Sequence, residues 1–340
     1  MRLLVIGGTA FLGRHTVAEA LRRGYDVTTF NRGETGADQP GVTTIHGDRK
    51  VAADLAQLAG GSWDAVVDTC GYVPRDVDAS ARILAGQAGW YGFVSSMSAY
   101  PAWPAEPVTA DSPTHECPPD AGPDDGDYGT LKAGCERAAV QHFGNRALLV
   151  RSGLLLGPYE NVGRLPWWLT RIAAGGQVLA PGDPDRPMQV IDARDMAGWM
   201  LDCAERGQGG AFTVTGPAGN TTMGRWLDDC VAATGSGAEL VWVPDRFLLD
   251  RDVEEWTELP LWMPESPDRV GTWTADVSQA QAAGLRSRPV GDTVRDTWTW
   301  LRDGGELAAR ASDGSPFTLG IDLDKERRIL AEWTSAKPVS

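Results

Sequence analysis

Tyr128 and Lys132, in the run DYGTLKAGCE, stand four residues apart, a spacing that brings two side chains to one face of a helix. A phenol with a pKa of about 10 in water exchanges protons poorly near neutrality, and an adjacent ammonium stabilises the phenolate and draws the group toward the working range. The chain has only four lysines, Lys50, Lys132, Lys325 and Lys337, and six tyrosines, so chance seldom produces this pair. Upstream, GFVSSMSAY sets Ser95, Ser96 and Ser98 at the end of an apolar run. One of these hydroxyls could hold a substrate oxygen while Tyr128 gives or takes its proton.

A second constellation opens the chain. VIGGTAFLGRH, Val5 to His15, puts Gly7, Gly8 and Gly13 between an apolar run and an amphipathic one. Glycine removes the Cβ, so a ligand can approach the peptide itself, and the following helix offers unpaired N–H groups and its positive dipole end. An anion fits there, most often a phosphate. The spacing is G-G-x-x-x-x-G, with Ala10 where a dinucleotide fingerprint has another glycine. At the end of the next strand an NAD site usually presents an acid to the ribose hydroxyls. TTFNRG supplies Asn31 and Arg32 instead, and a guanidinium suits a 2′-phosphate, so NADP(H) is expected, with NAD(H) admitted. The plainer alternatives are a ligand-free turn and a solvated arginine.

The elements that must carry these residues follow from periodicity. RLLVIG, DVTTF, VTTIHGD, WDAVVDTC, WYGFVSS and RALLVRSG are short β-rich runs separated by helical patterns, which predicts right-handed crossovers and a doubly wound parallel α/β sheet with both faces buried. In such sheets ligands gather at the carboxyl ends of the strands. Residues 1–151 are expected to form this dinucleotide-binding domain. Eleven of the fourteen tryptophans lie beyond residue 160, which suggests a smaller substrate lobe over 152–302, with AFTVTG (Ala211 to Gly216) returning to the sheet. Those tryptophans serve either core packing or an aromatic wall for substrate. Residues 303–340 are polar, and DLDKERRILAEW looks like a solvated terminal helix. The Pro- and Asp-rich stretch between Tyr100 and Tyr128 lacks periodicity and suggests a lid.

Composition removes several function classes. The five cysteines form no C-x-x-C pair and the four histidines are dispersed, so neither a disulfide framework nor a metal site is expected. A net charge of −15 opposes a nucleic-acid partner. No apolar run approaches the roughly 18 residues of a membrane span, and the start MRLLVIGG reads as a strand rather than a signal peptide. A cytoplasmic monomer or homodimer acting on a small molecule is expected.

Together, the glycine-rich start, the serine-bearing fifth strand, Y-x-x-x-K and RSGLLLGP (Arg151 to Pro158) resemble the short-chain dehydrogenase/reductase superfamily, on its extended side with sugar-nucleotide epimerases and dehydratases. GGTAFLGRH with NRG, GDR, DTCGYVP and LAPGDPDRPMQVIDARD looks like its atypical branch of reductases, epimerases and chloroplast stem-loop RNA-binding proteins. The resemblance implies Tyr128 as general acid/base, Lys132 as its partner and Ser96 as the catalytic hydroxyl. It places Gly7, Gly8, Thr9, Ala10, Phe11, Leu12 and Gly13 at the pyrophosphate. Asn31 and Arg32 fall at the adenosine ribose, Asp48 and Arg49 at the adenine edge, and Cys70 and Gly71 beside the cofactor. Tyr72, Met97, Ser98 and Arg186 fall to the substrate. Ala10 and the lack of a relay asparagine in DTCGY depart from the pattern. Three functions follow: an NADP(H)-dependent oxidoreductase on a small carbonyl or alcohol, a nicotinamide-retaining epimerase or dehydratase, and a catalytically silent cofactor-sensing or RNA-binding protein.

Overall fold

A computed structural model describes residues 1–306 and 318–336. Six strands, β1 (Arg2–Ile6), β2 (Asp26–Asn31), β3 (Thr43–His46), β4 (Trp63–Asp68), β5 (Ala88–Ser96) and β6 (Ala147–Ser152), join the later strand Gly210–Val214 in one parallel seven-stranded sheet. The order is Gly210–Val214, β6, β5, β4, β1, β2, β3, so the winding reverses between β1 and β4. The helices α1 (Phe11–Arg22), α2 (Ala52–Ala56), α3 (Pro74–Leu84) and α4 (Tyr128–Phe143) follow strands in this order. Alternation within β1 shows why both faces need cover: Leu3 and Val5 pack with Val17 and Ala20 of α1, whereas Leu4 and Ile6 pack with Val77, Leu84 and Phe143 of α3 and α4.

The chain divides into two compact units. The first comprises 1–155, 191–217 and 268–287 and contains the sheet. The second comprises 156–190, 218–267 and 288–340. Within the second, Trp168 stacks edge-on against Trp167 and Trp226 at 4.8 and 6.1 Å, and its Nε1 donates to the Pro260 carbonyl at 2.8 Å. Trp168, Trp226 and Trp262 are fully buried, so packing accounts for them. The terminal helix Leu323–Ala336 departs from the solvated expectation. Its Glu326 is 1% exposed, pairs with Arg171 at 2.7 Å and accepts from Leu179 N at 3.0 Å, and a buried carboxylate so held anchors the helix. Part of the 303–340 stretch, residues 307–317 and 337–340, lies outside the described residues.

The stretch from 101 to 127, expected as a lid, is tied down along its length within the first unit. The Pro104 carbonyl accepts from Gly271 N (2.9 Å), that of Val108 from Asp276 N (2.8 Å), that of Ala110 from Arg151 Nη1 (2.9 Å) and that of Ala121 from Arg75 N (3.1 Å). Gly134 of α4 lets it lie close, since a Cβ there would come within 2.6 Å of both Cys117 Sγ and Pro74 Cγ. It is a strap.

Candidate active site

The glycine turn leaves β1 with Gly7 and Gly8 at φ of +104° and +102°, a region that side chains disfavour. Gly13 answers a packing need instead: a Cβ on it would stand 2.7 Å from Gly8 N. Ala10 sits at φ −117° and ψ 146°, ordinary extended backbone, so the missing glycine costs nothing in conformation. As N-cap of α1 it supplies no side-chain bond, and the first turn holds no acid, so the amides of Phe11, Leu12 and Gly13 are left for an anion. Thr9 Oγ1 meets Thr35 Oγ1 at 2.7 Å, folding the segment after β2 against the turn. These residues fit a dinucleotide pyrophosphate.

At the end of β2 the structure is more acidic than the strand itself suggested. Asn31 Nδ2 and Thr29 Oγ1 both donate to Asp38 Oδ1, at 2.8 and 2.9 Å, while Asn31 Oδ1 accepts from Gly33 N. Arg32 is half-exposed and lies 3.3 Å from Glu34. Asp48 is engaged locally, its carboxylate accepting from Lys50 N and its N–H donating to Asp54. Arg49, expected at the adenine edge, turns inward. Its guanidinium grips Asp68 through two bonds of 2.9 and 2.8 Å and donates to Ser80 Oγ at 2.6 Å. The reason is Asp68, fully buried at the end of β4, which has to be paired. Burial pushes the Asp68 carboxyl up, but the guanidinium and the bond from Tyr91 outweigh it and hold it below its ordinary range. Asp68 also accepts from Cys70 N at 3.2 Å, which fixes the start of the Cys70–Tyr72 loop. Burial pushes the Cys70 thiol up to about 11, so it stays protonated.

Ser96, Tyr128 and Lys132, expected to carry the proton transfer, lie where β5 ends and α4 begins. Ser96 closes β5, and its Oγ accepts from Ser98 N at 3.1 Å and lies 3.2 Å from Ser98 Oγ. Asp127 caps α4 by accepting from Thr130 N at 2.8 Å, which makes Tyr128 the first helical residue. Gly129 then allows the helix to abut the strand end: a Cβ there would overlap the Ser98 carbonyl oxygen. Lys132 is 3% exposed, and its Nζ donates to the carbonyls of Gly71 and Val94, each at 2.8 Å. The ammonium lies 4.9 Å from the Tyr72 and Phe93 ring centroids and 5.9 Å from that of Tyr128. Tyr128 itself is 43% exposed. The lysine is thus fixed from beneath with one N–H left over, and the phenol above it is open to a ligand. Met97, expected to touch substrate, is instead 3% exposed and packs with Tyr100, Val108 and Ala275, because the one-turn helix after Ser96 points it into the core.

The profile of the NAD dependent epimerase/dehydratase family matches residues 3–215. The chain belongs to this family. It is an NAD(P)-dependent enzyme with a Rossmann-type sheet. Among solved structures it is similar to the Bordetella bronchiseptica enzyme WbmH in complex with NAD+, at 18% identity over 90% of this chain and 99% of that one, with a TM-score of 0.67. It is also similar to the UDP-glucose 4-epimerase of Thermotoga maritima with UDP-glucose, at 17% identity over 89% and 99% of the chains, TM-score 0.64. The dTDP-glucose 4,6-dehydratase of Bacillus anthracis in complex with NAD gives 14%, 89% and 97%, TM-score 0.65. At these identities the likeness establishes the fold. No curated protein matches the chain.

One residue carried over from epimerase relatives is engaged within the second unit: Arg186 pairs with Asp245 through bonds of 3.2 and 2.6 Å and donates to the Met263 carbonyl, as Trp262 Nε1 donates to the same carboxylate. Sequence reasoning overlooked Asp68, Asp38 and Glu136. Asp68, which closes the apolar stretch AVVD, and Glu136, which sits among the small residues of AGCE, could have been found as acids whose neighbours predict burial, where a carboxylate demands a partner. Among the described residues there is no cluster of three or more metal-ligating side chains, and no helix is long and apolar enough to cross a membrane.

Proposed function

We propose that the chain is a nicotinamide-retaining epimerase or dehydratase acting at a carbinol of a nucleoside diphosphate sugar or a carbohydrate of like chemistry. The observation that carries this reading is the abutment of Tyr128 and buried Lys132 on the Ser96 strand end, beside a glycine turn with uncapped amides. Bound nicotinamide supplies a reversible acceptor for the carbinol hydrogen. Ser96 Oγ holds the substrate oxygen. In epimerisation Tyr128 removes the hydroxyl proton as the carbonyl forms and returns it when the same carbonyl is reduced again; in dehydration it removes the proton in the same way, and the carbonyl stays as water leaves the neighbouring carbons. Lys132, held by Gly71 and Val94, directs its remaining N–H toward the cofactor ribose and its charge toward the phenol. The family match and the full-length likeness to epimerases and a dehydratase favour this over the net reductase that Arg32 suggested.

Cofactor choice follows from the same edge. Arg32 has Glu34 as its neighbour, and the Asp38 carboxylate stands against Asn31, so a 2′-phosphate would meet negative charge there. Both features support NAD(H) over the NADP(H) expected from sequence. The acidic chain favours a small-molecule partner over RNA.

The test uses protein purified without added nucleotide, denatured in one portion to assay released nicotinamide and incubated in another with a panel of UDP- and dTDP-sugars. Bound NAD, a new sugar nucleotide and no net change in reduced nicotinamide are expected, with product absent for Tyr128→Phe. Product that forms only with equivalent consumption of NADPH would overturn the reading in favour of the reductase.

A further inference from the structure

Behind the site lies a buried polar cluster that takes no direct part in the proton transfer. Ser95 alternates with Ser96 on β5: Ser96 faces the site, whereas Ser95 is 3% exposed and donates to Glu136 Oε1 at 2.6 Å. Glu136 is one helical turn beyond Lys132 on α4 and 4% exposed. Its second partner is Arg151 of β6, the residue paired in register with Ser95 across the sheet. Arg151 Nε lies 3.0 and 3.2 Å from the two carboxylate oxygens and Nη2 lies 2.8 Å from Oε2. The same guanidinium reaches outward, with Nη1 donating to Tyr100 OH at 3.2 Å and to the Ala110 carbonyl of the strap at 2.9 Å. Tyr100 OH in turn meets Thr213 Oγ1 at 2.7 Å.

A buried pair of this kind adds little net stability compared with apolar residues of the same shape, and fixing one arrangement is its better-attested use. Here the arrangement fixed is specific. One carboxylate ties the helix that carries Tyr128 and Lys132 to the strand residue adjoining Ser96, and an arginine ties both to the strap that spans the gap between them in sequence. We infer that Glu136, gripped by Ser95 and Arg151, is a positioning residue that sets where Tyr128 and Lys132 stand along α4 relative to Ser96. This rests on the cofactor reading above, because the nicotinamide half would touch α4 while the adenosine and pyrophosphate half would touch the glycine turn.

That division supplies a test independent of turnover. NADH reports both halves, and ADP, which lacks both the nicotinamide and its ribose, reports only the glycine-turn half. Ser95→Ala removes one buried hydroxyl and leaves the Glu136–Arg151 pair. Titration of protein freed of its copurified nucleotide, followed by tryptophan fluorescence, should show NADH weakened about tenfold and ADP changed by less than about twofold. Glu136→Gln, which keeps an oxygen for Ser95, should fall between Ser95→Ala and wild type. Thr297→Ala is the stability control. It deletes a fully buried hydroxyl in the second unit, bonded to the Thr293 carbonyl at 2.7 Å, and should lower the Tm while leaving both affinities unchanged. Equal weakening of NADH and ADP by Ser95→Ala, or no weakening of NADH, would overturn the positioning role. Failure of wild type to bind either ligand would overturn the cofactor reading itself, a different and recognisable result.

Discussion

The amino ends of α1 and α4 stand in one unit, each beside the carboxyl end of a strand, and they are built in opposite ways. α1 begins at Ala10 with no side-chain cap, no acid in its first turn and two positive-φ glycines before it. α4 begins at Asp127 with a capping bond, and its Lys132 and Glu136 are both buried and bonded. Bare amides suit a ligand that brings its own charge and needs close approach. Side chains fixed by other side chains suit atoms that must keep one distance while a proton moves. Substitutions in the glycine turn should therefore fail in affinity for the whole dinucleotide, and substitution of Tyr128 in turnover.

The largest effect is expected at α4. Tyr128→Phe should lower turnover by about 10²- to 10⁴-fold while NADH affinity is little changed, measured by product formation and by titration on one preparation. Substantial residual turnover would erase the distinction between the two ends. Next comes the pair behind the Cys70–Tyr72 loop. Asp68→Ala leaves the Arg49 guanidinium buried without its carboxylate and should cost about 3–5 kcal/mol in chemical denaturation. The pH dependence has a definite sign: the folded carboxyl lies below its ordinary 3.8, so its contribution is complete above that value and is lost as pH falls through the folded value. Acid unfolding of wild type should steepen below about pH 4, and Asp68→Asn should lack that component.

At α1, Gly13→Ala pushes a methyl toward Gly8 N and should weaken NADH and ADP alike by about tenfold, while the turnover of cofactor-saturated enzyme is preserved. A loss of turnover at saturation would mean that the two ends are not separable. Smallest is Arg32→Ala. The Arg32–Glu34 pair is exposed, so less than about 1 kcal/mol should be lost in stability, and no selective loss of NADP over NAD should appear. A strong selective loss of NADP would restore the reading in which Arg32 holds a 2′-phosphate.

The central strands β1, β4, β5 and β6 were legible because each is an apolar run bounded by a polar turn, and a strand buried on both faces has little freedom to be anything else. The Tyr128–Lys132 pair was legible for a related reason: helical spacing puts i and i+4 on one face whatever surrounds them. What resisted reading depends on partners distant in sequence. Arg49 looked like a loop residue open to a ligand, yet the group that turns it inward, Asp68, lies on another strand. The strap has no periodicity because its own backbone bonds close only isolated turns, and its backbone is otherwise tied to Arg75, Arg151, Gly271 and Asp276, which lie far away in sequence. Met97 sits among three serines and looked equally exposed, but the tight turn after Ser96 reverses its direction.

The central claim, that a nicotinamide cofactor lies along the glycine turn with its reactive half against α4, is tested most directly by a crystal structure of the protein with NAD+. The account predicts the pyrophosphate on the amides of Phe11, Leu12 and Gly13, the adenosine ribose beside Asp38, and the nicotinamide ribose within hydrogen-bond reach of Lys132 Nζ with the ring facing the Tyr128 hydroxyl. A cofactor bound elsewhere, or seated on the turn with its nicotinamide directed away from Tyr128 and Lys132, would contradict it.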